Sequence, residues 1–290
     1  MASFRVLRTA TLIVACLAIV ALAGAQPQAA QQLRLYVLEG GVLASNPASY
    51  QLGEDEVKTT SLAVASYLIV HPDGILIWDT GAIADQERAV ETGTVQTIIR
   101  ADLAERHVTL GPPLAAQLAA AGFGASDVTH LSMSHYHWDH TANSNLFAHA
   151  TWLVRPADRD AMFSATAGGS ARTSTYSMLE NSETILVTTD EYDVFRDGKV
   201  ILKAAPGHTP GHQVLFVDLP QTGPVVLSGD LYHYPEERSL GRMPALEMQG
   251  QTPASREAVE TFLSRTGAQL WIQHDLDAHR RLKKAPAFYD

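Results

Sequence analysis

Cysteine is almost absent: Cys16 is the only one in 290 residues. It falls in a segment that reads as a cleavable leader, so the mature chain has neither a disulfide nor a thiolate to offer a metal. Any metal site must therefore use His, Asp or Glu. A basic surplus is also missing, with 21 Lys and Arg against 31 Asp and Glu and a formal charge of -10. That balance argues against nucleic acid as a partner, because phosphates would find little to neutralise them. An apolar run long enough for a secure membrane anchor is lacking too. The stretch 11–23 is shorter than the roughly 20 residues a spanning helix needs, follows Arg5 and Arg8, and closes on Ala23-Gly24-Ala25. This is the pattern of a secretory signal peptide cut after Ala25.

The expected organisation is a 1–25 signal peptide and one domain over 26–290, exported to the periplasm or secreted, with no stable membrane span after cleavage. Ile13-Val14-Ala15-Cys16 resembles a lipobox, which makes a lipid anchor on Cys16 the minor alternative. Hydrophobic residues make up 46% of the chain, enough for one large domain.

What is abundant is histidine in one place. Residues 134–143 read SHYHWDHTAN, with His135, His137, Asp139 and His140 inside six consecutive positions. Three imidazoles and a carboxylate at this spacing are too many for one ion with an open position, so two metals are the natural reading. The preceding VTHLSM (128–133) reads as a buried strand that delivers them. In an extended segment side chains two apart point the same way, so His135 and His137 can share one ion. A turn after Trp138, with a helix beginning near Thr141, would swing Asp139 and His140 toward a second.

Elsewhere strands prevail. LRLYVL (33–38) alternates and is expected to end at Glu39-Gly40-Gly41, while 62–70 and 75–78 form a hairpin through His71-Pro72-Asp73-Gly74. His71 belongs to that turn. Residues 84–107 have helical composition broken by Gly93 and are read as a helix or a covering loop, and 114–121 is a helix opened by Pro112 and Pro113. A strand at 151–154, a short helix at 158–163 and a Gly-rich loop at 164–175 follow. Further strands lie at 184–187, 192–195, 200–205, 213–218, 225–227 and 269–272, and a helix at 254–263. Two sheets packed together with helices outside are implied.

Three more ligand-type residues follow apolar strands: His208 in APGHTPGH, Asp230 in VVLSGD and His274 in LWIQHD. Loops at strand ends are where function sits on a rigid scaffold. Together with Asp79-Thr80-Gly81 and HxHxDH, in this order, these motifs resemble the metallo-β-lactamase superfamily over essentially the whole mature chain. The resemblance implies an α/β (αββα) four-layer sandwich. It also implies one ion on His135, His137 and His208, a second on Asp139, His140 and His274, and Asp230 bridging them.

Two divalent ions sharing a water lower its pKa toward neutrality, making a bridging hydroxide available to attack a carbonyl. Zinc is the first expectation, with iron, cobalt or manganese as alternatives, since His/Asp ligands accept them all. Asp79 and His212 are expected to orient ligands or their loops rather than to contact metal.

Asp230 in place of Cys or Ser separates the chain from typical β-lactamases. The early LRLYVLEGG strand and the late WIQHD are most similar to N-acyl homoserine lactonases, which implies lactone opening in quorum-sensing signals, that is, quorum quenching. Asp139 and Asp230 would take part in the chemistry. Lactonases of this type carry a tyrosine three residues after the bridging aspartate. Here that position is His233, flanked by Tyr232 and Tyr234, and any of the three is a candidate donor to a developing oxyanion. Met162, Phe163, Met243 and Leu246 are candidates to border a groove for an acyl tail. The alternatives are a secreted phosphotriesterase or aryl esterase of the methyl-parathion-hydrolase type, a β-lactamase-like hydrolase and, less favoured, a non-catalytic metal- or signal-binding protein. A flavodiiron role is disfavoured, since that group prefers Glu at the place of His137 and appends a flavin domain. Oligomeric state, a homodimer included, is not legible at this level.

Overall fold

The structure is a computed structural model that describes residue 1 and residues 32–100, 103–164 and 171–290. Residues 2–31, which hold Cys16 and all of the signal peptide but Met1, and residues 165–170, half of the Gly-rich 164–175 loop, lie outside the described residues.

The chain builds its first sheet from β1 (Arg34–Ala44), β2 (Ser61–His71), β3 (Gly74–Trp78), β4 (Val95–Ile99), β5 (Glu105–Thr109), β6 (His130–Ser132), β7 (Thr151–Val154) and β8 (Thr184–Leu186). Their spatial order is β4-β5-β1-β2-β3-β6-β7-β8. The second sheet holds β9 (Glu191–Asp193), β10 (Val200–Ala204), β11 (Gln213–Leu219), β12 (Gly223–Leu227) and β13 (Gln269–Trp271), in the order β13-β12-β11-β10-β9. Among the described residues the helices are α1 (Leu114–Ala120), α2 (Trp138–Thr141), α3 (Pro156–Phe163), α4 (Thr173–Tyr176), α5 (Pro235–Leu240), α6 (Thr252–Thr266) and α7 (Leu276–Arg281).

Period-two patterning creates the layers. Along β1 and β2, Leu35, Val37, Tyr67 and Ile69 face Leu202, Leu215, Val217 and Val225 of the second sheet. The alternate residues Tyr36, Leu38, Leu68 and Val70 pack outward against Leu114 and Leu118 of α1 and Met162 of α3. On the far side, Val214, Phe216 and Val226 meet Val259, Phe262 and Leu263 of α6. The result is the expected αββα sandwich.

Three local expectations need correction. The Gly40-Gly41 pair does not end β1. Register shifts between Glu39 and Gly41, and the strand continues to Ala44 as a β-bulge. Gly41 has φ +119, and a Cβ there would lie 2.5 Å from the Thr109 carbonyl. Among the described residues of 84–107 there is no α-helix: a single 3-10 turn at Asp85–Glu87 precedes the β4–β5 hairpin, which pairs with the part of β1 beyond the bulge at Val42↔Thr109 and Leu43↔Val108. Its polar composition reflects an edge position in which Ile98 and Val108 are buried while Val95 and Ile99 stay exposed. Finally, α2 starts at Trp138 rather than near Thr141, so Asp139 and His140 ride on its single turn.

Gln117 of α1 clamps the bulge. Its Oε1 accepts from Glu39 N at 2.7 Å, and its Nε2 donates to Glu39 O and Pro112 O, both at 2.9 Å. Gln117→Ala removes all three bonds and is expected to destabilise the protein by about 1–3 kcal/mol, read as a lowered urea midpoint at unchanged m-value. A midpoint equal to wild type would show that the bulge holds without its clamp.

Candidate metal centre

Parallel pairing β3–β6 and β12–β13 brings four strand ends together at one edge of the sandwich. Asp79 follows β3 with φ +55, a conformation Asp tolerates, and its carboxylate reaches across to the histidine segment. Oδ1 accepts from Ser134 N at 2.7 Å. Oδ2 accepts from Ser134 Oγ at 3.0 Å and from Gln273 Nε2 at 2.6 Å, and lies 2.9 Å from His140 Nδ1. Extended backbone carries His135 and His137, and the α2 turn then presents Asp139 and His140.

Two compact groups result: His135, His137, His208 and Asp230, and beside them Asp139, His140 and His274, with potential ligand atoms within 4.8 Å of one another in each. Asp230 faces both. Its Oδ1 lies 3.0 Å from His140 Nε2 and 3.0 Å from His274 Nε2. Its Oδ2 lies 3.3 Å from His208 Nε2 and 3.6 Å from His135 Nε2. Within the first group His208 Nε2 is 2.9 Å from His137 Nδ1. In the second, Asp139 Oδ2 is 3.9 Å from His140 Nε2 and 3.8 Å from His274 Nε2.

The opposite ring nitrogens are already committed. His140 Nδ1 meets Asp79, His274 Nδ1 meets Ala63 O at 2.6 Å, His208 Nδ1 meets Glu247 Oε1 at 2.9 Å, and His135 Nδ1 meets Ser134 Oγ at 3.0 Å. These partners accept, so the proton is assigned to Nδ1 and each Nε2 turns a lone pair inward. Lone pairs of imidazoles and of a carboxylate then converge. His135 Nε2, His140 Nε2 and Asp230 Oδ1 are buried without a hydrogen-bond partner, a costly arrangement unless a cation lies among them. Ligands about 2.1 Å from a tetrahedral ion stand about 3.4 Å apart, close to the spacings observed. The donor set fits divalent metal ions.

Electrostatics follow from burial and proximity. Burial pushes Asp230 up, yet His274, His140 and His135 hold it well below the usual carboxylate range. Burial pushes His140 down, but Asp230, Asp79 and Asp139 hold it well above the ordinary imidazole value. Burial, then His140, drives His135 far down. His212 is not among the converging groups. Its Nδ1 meets Ala205 O at 2.9 Å and its Nε2 accepts from Asp230 N at 3.0 Å, so it positions the bridging residue's backbone. Its pKa is lowered to about 4, chiefly by burial.

Of the three oxyanion candidates only His233 enters the centre, its Nε2 3.2 Å from Asp230 Oδ2. Tyr232 turns away. Its hydroxyl donates to Glu260 Oε1 at 3.1 Å and its ring lies under Arg256. Tyr234 is buried with Leu43, Leu62 and Trp138. Met162 and Phe163 belong to the packing of the helical layer rather than to a groove. Met243 and Leu246 instead lie in the segment that carries Glu247, where Leu246 is 96% exposed. His71 closes its turn by accepting from Asp73 N at Nδ1 at 3.1 Å, and its Nε2 lies 3.0 Å from Asp197 Oδ2.

Sequence reasoning missed Glu247, Gln273 and Glu237 as supports. Gln273 adjoins a named ligand and Glu237 follows a Pro at a helix start. Glu247 had no local signal, sitting 39 positions from the histidine it orients.

The model of the metallo-beta-lactamase superfamily matches residues 59–269. Among relatives, the N-acyl homoserine lactonase AttM of Azorhizobium caulinodans is 30% identical over 276 residues, covering 89% of this chain and 99% of the relative. The fold is similar to that of Bacillus thuringiensis AiiA in a variant with N-decanoyl-L-homoserine bound at the active site, with TM-score 0.71, 19% identity and coverage of 89% and 100%. It is also similar to AidC, a dizinc quorum-quenching lactonase, with TM-score 0.59, 18% identity and coverage of 89% and 94%.

The loop bearing His208 and His212 is anchored by Asp158, which accepts from Gly211 N at 2.6 Å and Thr209 Oγ1 at 2.9 Å. Burial raises its pKa to about 6 against these two donors. A carboxyl raised in the folded state favours folding while protonated, and this advantage is lost as pH climbs from about 4 through 6. Asp158→Asn mimics the protonated form. It is expected to be stabilising at pH 8 by about 1–3 kcal/mol and neutral near pH 4, as urea midpoints at the two pH values will read. Equal destabilisation at both would mean that the charged form is the one the loop needs.

Proposed function

The chain belongs to the metallo-β-lactamase superfamily and is a metal-dependent hydrolase, and from that premise we propose that it opens the lactone ring of N-acyl homoserine lactones with a dinuclear centre. The observation that carries this reading is the buried Asp230 carboxylate, one oxygen toward each histidine group. Its substrate class comes from AttM, matched along nearly its whole length.

On this reading His135, His137, His208 and Asp230 would hold one ion, and Asp139, His140, His274 and Asp230 would hold the other, zinc being the first expectation. When bound, the ions supply Lewis acidity at the ring carbonyl and a water acidic enough to act as nucleophile near neutral pH. The protein's own part is orientation. Asp79, Glu247, Ser134 and the Ala63 carbonyl face Nδ1 of His140, His208, His135 and His274 and so turn the Nε2 of these four rings toward the centre. His212 holds the Asp230 backbone, and Asp230 and Asp139 carry their carboxyl groups into the interior.

His137 and His208 are the partly exposed members of their group, so the centre opens on their side. The Glu247 segment lies there with exposed Leu246 and Met248, an apolar surface suited to an acyl tail. Export is a second part of the proposal, resting on the 1–25 pattern alone.

Purified protein of measured metal content is expected to hydrolyse acyl homoserine lactones, preferring long tails. That activity should fall to background in Asp230→Ala and after chelation. Metal-replete protein inert toward every lactone but active on a phosphotriester, an aryl ester or a β-lactam would sink the substrate assignment. For export, N-terminal sequencing of protein recovered from a periplasmic or culture fraction should begin at Gln26; an intact Met1 there, or cytoplasmic retention, would refute the leader.

A further inference from the structure

None of the three oxyanion candidates named by the sequence has a free donor on the open side of the centre. Tyr232 gives its hydroxyl to Glu260, and the Tyr234 hydroxyl is buried without a hydrogen-bond partner. His233 turns its Nε2 to Asp230 Oδ2 at 3.2 Å, and its Nδ1 is buried without a hydrogen-bond partner. An atom that solvent cannot reach is closed to an incoming lactone as well.

A different phenol stands on that side. Tyr50 belongs to the loop after β1, in the 3-10 turn Pro47–Tyr50. Asn46 starts this turn, its Oδ1 accepting from Ala48 N at 3.0 Å, and Gln51 stops it in the left-handed region at φ +60. The stop carries Gln51 across to Met248, where its Nε2 meets Sδ at 3.1 Å, and Glu56 of the same loop lies 3.8 Å from Arg242. The Tyr50 ring stands 4.3 Å from that of His233 and 5.4 Å from that of Tyr234, and His233 in turn is 5.0 Å from His208. The loop therefore lies where Glu247 holds His208 and where His137 and His208 are partly exposed.

Tyr50 is half-buried and borders a cavity of about 300 Å³ together with Ser45, Ser49 and His107. Neighbouring rings fix its position while open space meets its edge. Burial raises the pKa of its hydroxyl, with His233 opposing, Asp230 adding, Ser45 opposing and Asp139 adding. The phenol stays protonated near neutral pH, as a donor must, and lies within electrostatic range of carboxylates from both ligand groups. Ser45 stands beside the phenol oxygen as a donor, which leaves the phenol's own proton for another acceptor.

Resting on the lactone-opening reading above, we infer that Tyr50 is the catalytic donor of this chain, its hydroxyl hydrogen-bonding the lactone carbonyl oxygen more strongly as charge builds there. The water oxygen bonds to the carbonyl carbon while the carbonyl π pair moves onto its oxygen. On collapse the ring C–O bond breaks. The attacking water gives one proton to solvent and its other to the departing ring oxygen, and Tyr50 keeps its own throughout. The tyrosine that such lactonases carry at the place of His233 is then replaced by one from the loop after β1.

Tyr50→Phe keeps the ring and its contacts and removes only the hydroxyl. Metal-loaded and assayed on a long-tailed acyl homoserine lactone, the variant is expected to lose about 100-fold in kcat with a smaller change in KM. Its metal content and urea midpoint should match wild type, which separates a lost donor from a loosened loop. A crystal structure of the metal-loaded wild type with the ring-opened acyl homoserine gives a readout independent of turnover. Tyr50 Oη should lie about 2.5–3.0 Å from a carboxylate oxygen of that product. Wild-type kcat in the variant, a loss traced to missing metal, or a hydroxyl turned away from the product overturns the inference and leaves the lactonase reading standing. Metal-replete wild type inert toward every lactone overturns both.

Discussion

Asp230 carries its carboxylate into the interior with each oxygen aimed at a different set of imidazole nitrogens. An isolated carboxylate buried this deeply would cost several kcal/mol and would take up a proton instead. The surrounding histidines hold it ionised, and the backbone is shaped to keep it there. Gly229 has φ +48, and a Cβ on it would lie 2.5 Å from Ser134 Cβ and 2.8 Å from His212 Nε2. The SGD sequence is thus a packing requirement as much as a ligand motif. Glycine lets the chain turn hard against the Ser134 strand end, and that contact sets the distance between Asp230 and His135.

The sandwich supplies the second constraint, because the two ligand groups draw on both sheets. His135 to His140 follow β6 of the first sheet, while His208, Asp230 and His274 follow strands of the second. Polar side chains cross the gap to keep these edges in register. Gln273 donates to Ala65 O at 2.8 Å and to Asp79 at 2.6 Å. Gln213 donates to Ser132 Oγ at 3.0 Å and Met133 O at 2.9 Å while accepting from Arg155 Nε at 3.1 Å. All of these side chains are buried, where an unmet amide costs more than the bond returns. The apolar core between the sheets sets their separation, and this polar seam sets their alignment.

Seven converging side chains were legible because their signal is local: a ligand-type residue just after an apolar strand, repeated at His135, His208, Asp230 and His274. The αββα layering was legible for a similar reason, since strand alternation shows in short windows. What escaped depends on distant parts of the chain. Glycines that end a strand and glycines that bulge one look alike until the partner strand is known, and β4–β5 pairs only because β1 continues past its bulge. Glu247 is a solvent-loop acid by composition and a histidine's anchor only in three dimensions. Of Tyr232, His233 and Tyr234, spacing leaves all three equal. Arg256 and Glu260 draw the first outward, the Glu237 carboxylate draws the second inward, and the apolar cluster around Trp138 takes the third.

That division explains why the supporting shell carries much of the chain's individuality. The inward nitrogens must be bases whatever the substrate, so the acceptors behind them are constrained by chemistry alone: Asp79, Glu247, the Ala63 carbonyl and Ser134. Nothing in that requirement fixes residue 233. A tyrosine there would need no acceptor behind it, since a phenol works as a donor from its own hydroxyl. A histidine there sits beside the buried Glu237–Arg256 pair, whose carboxylate accepts from the backbone N of His233 and Tyr234 and so fixes the turn at the expense of desolvating two charges. Such a pair is a poor way to stabilise a fold and a good way to fix the backbone of one turn, here the one that follows Asp230 and carries His233.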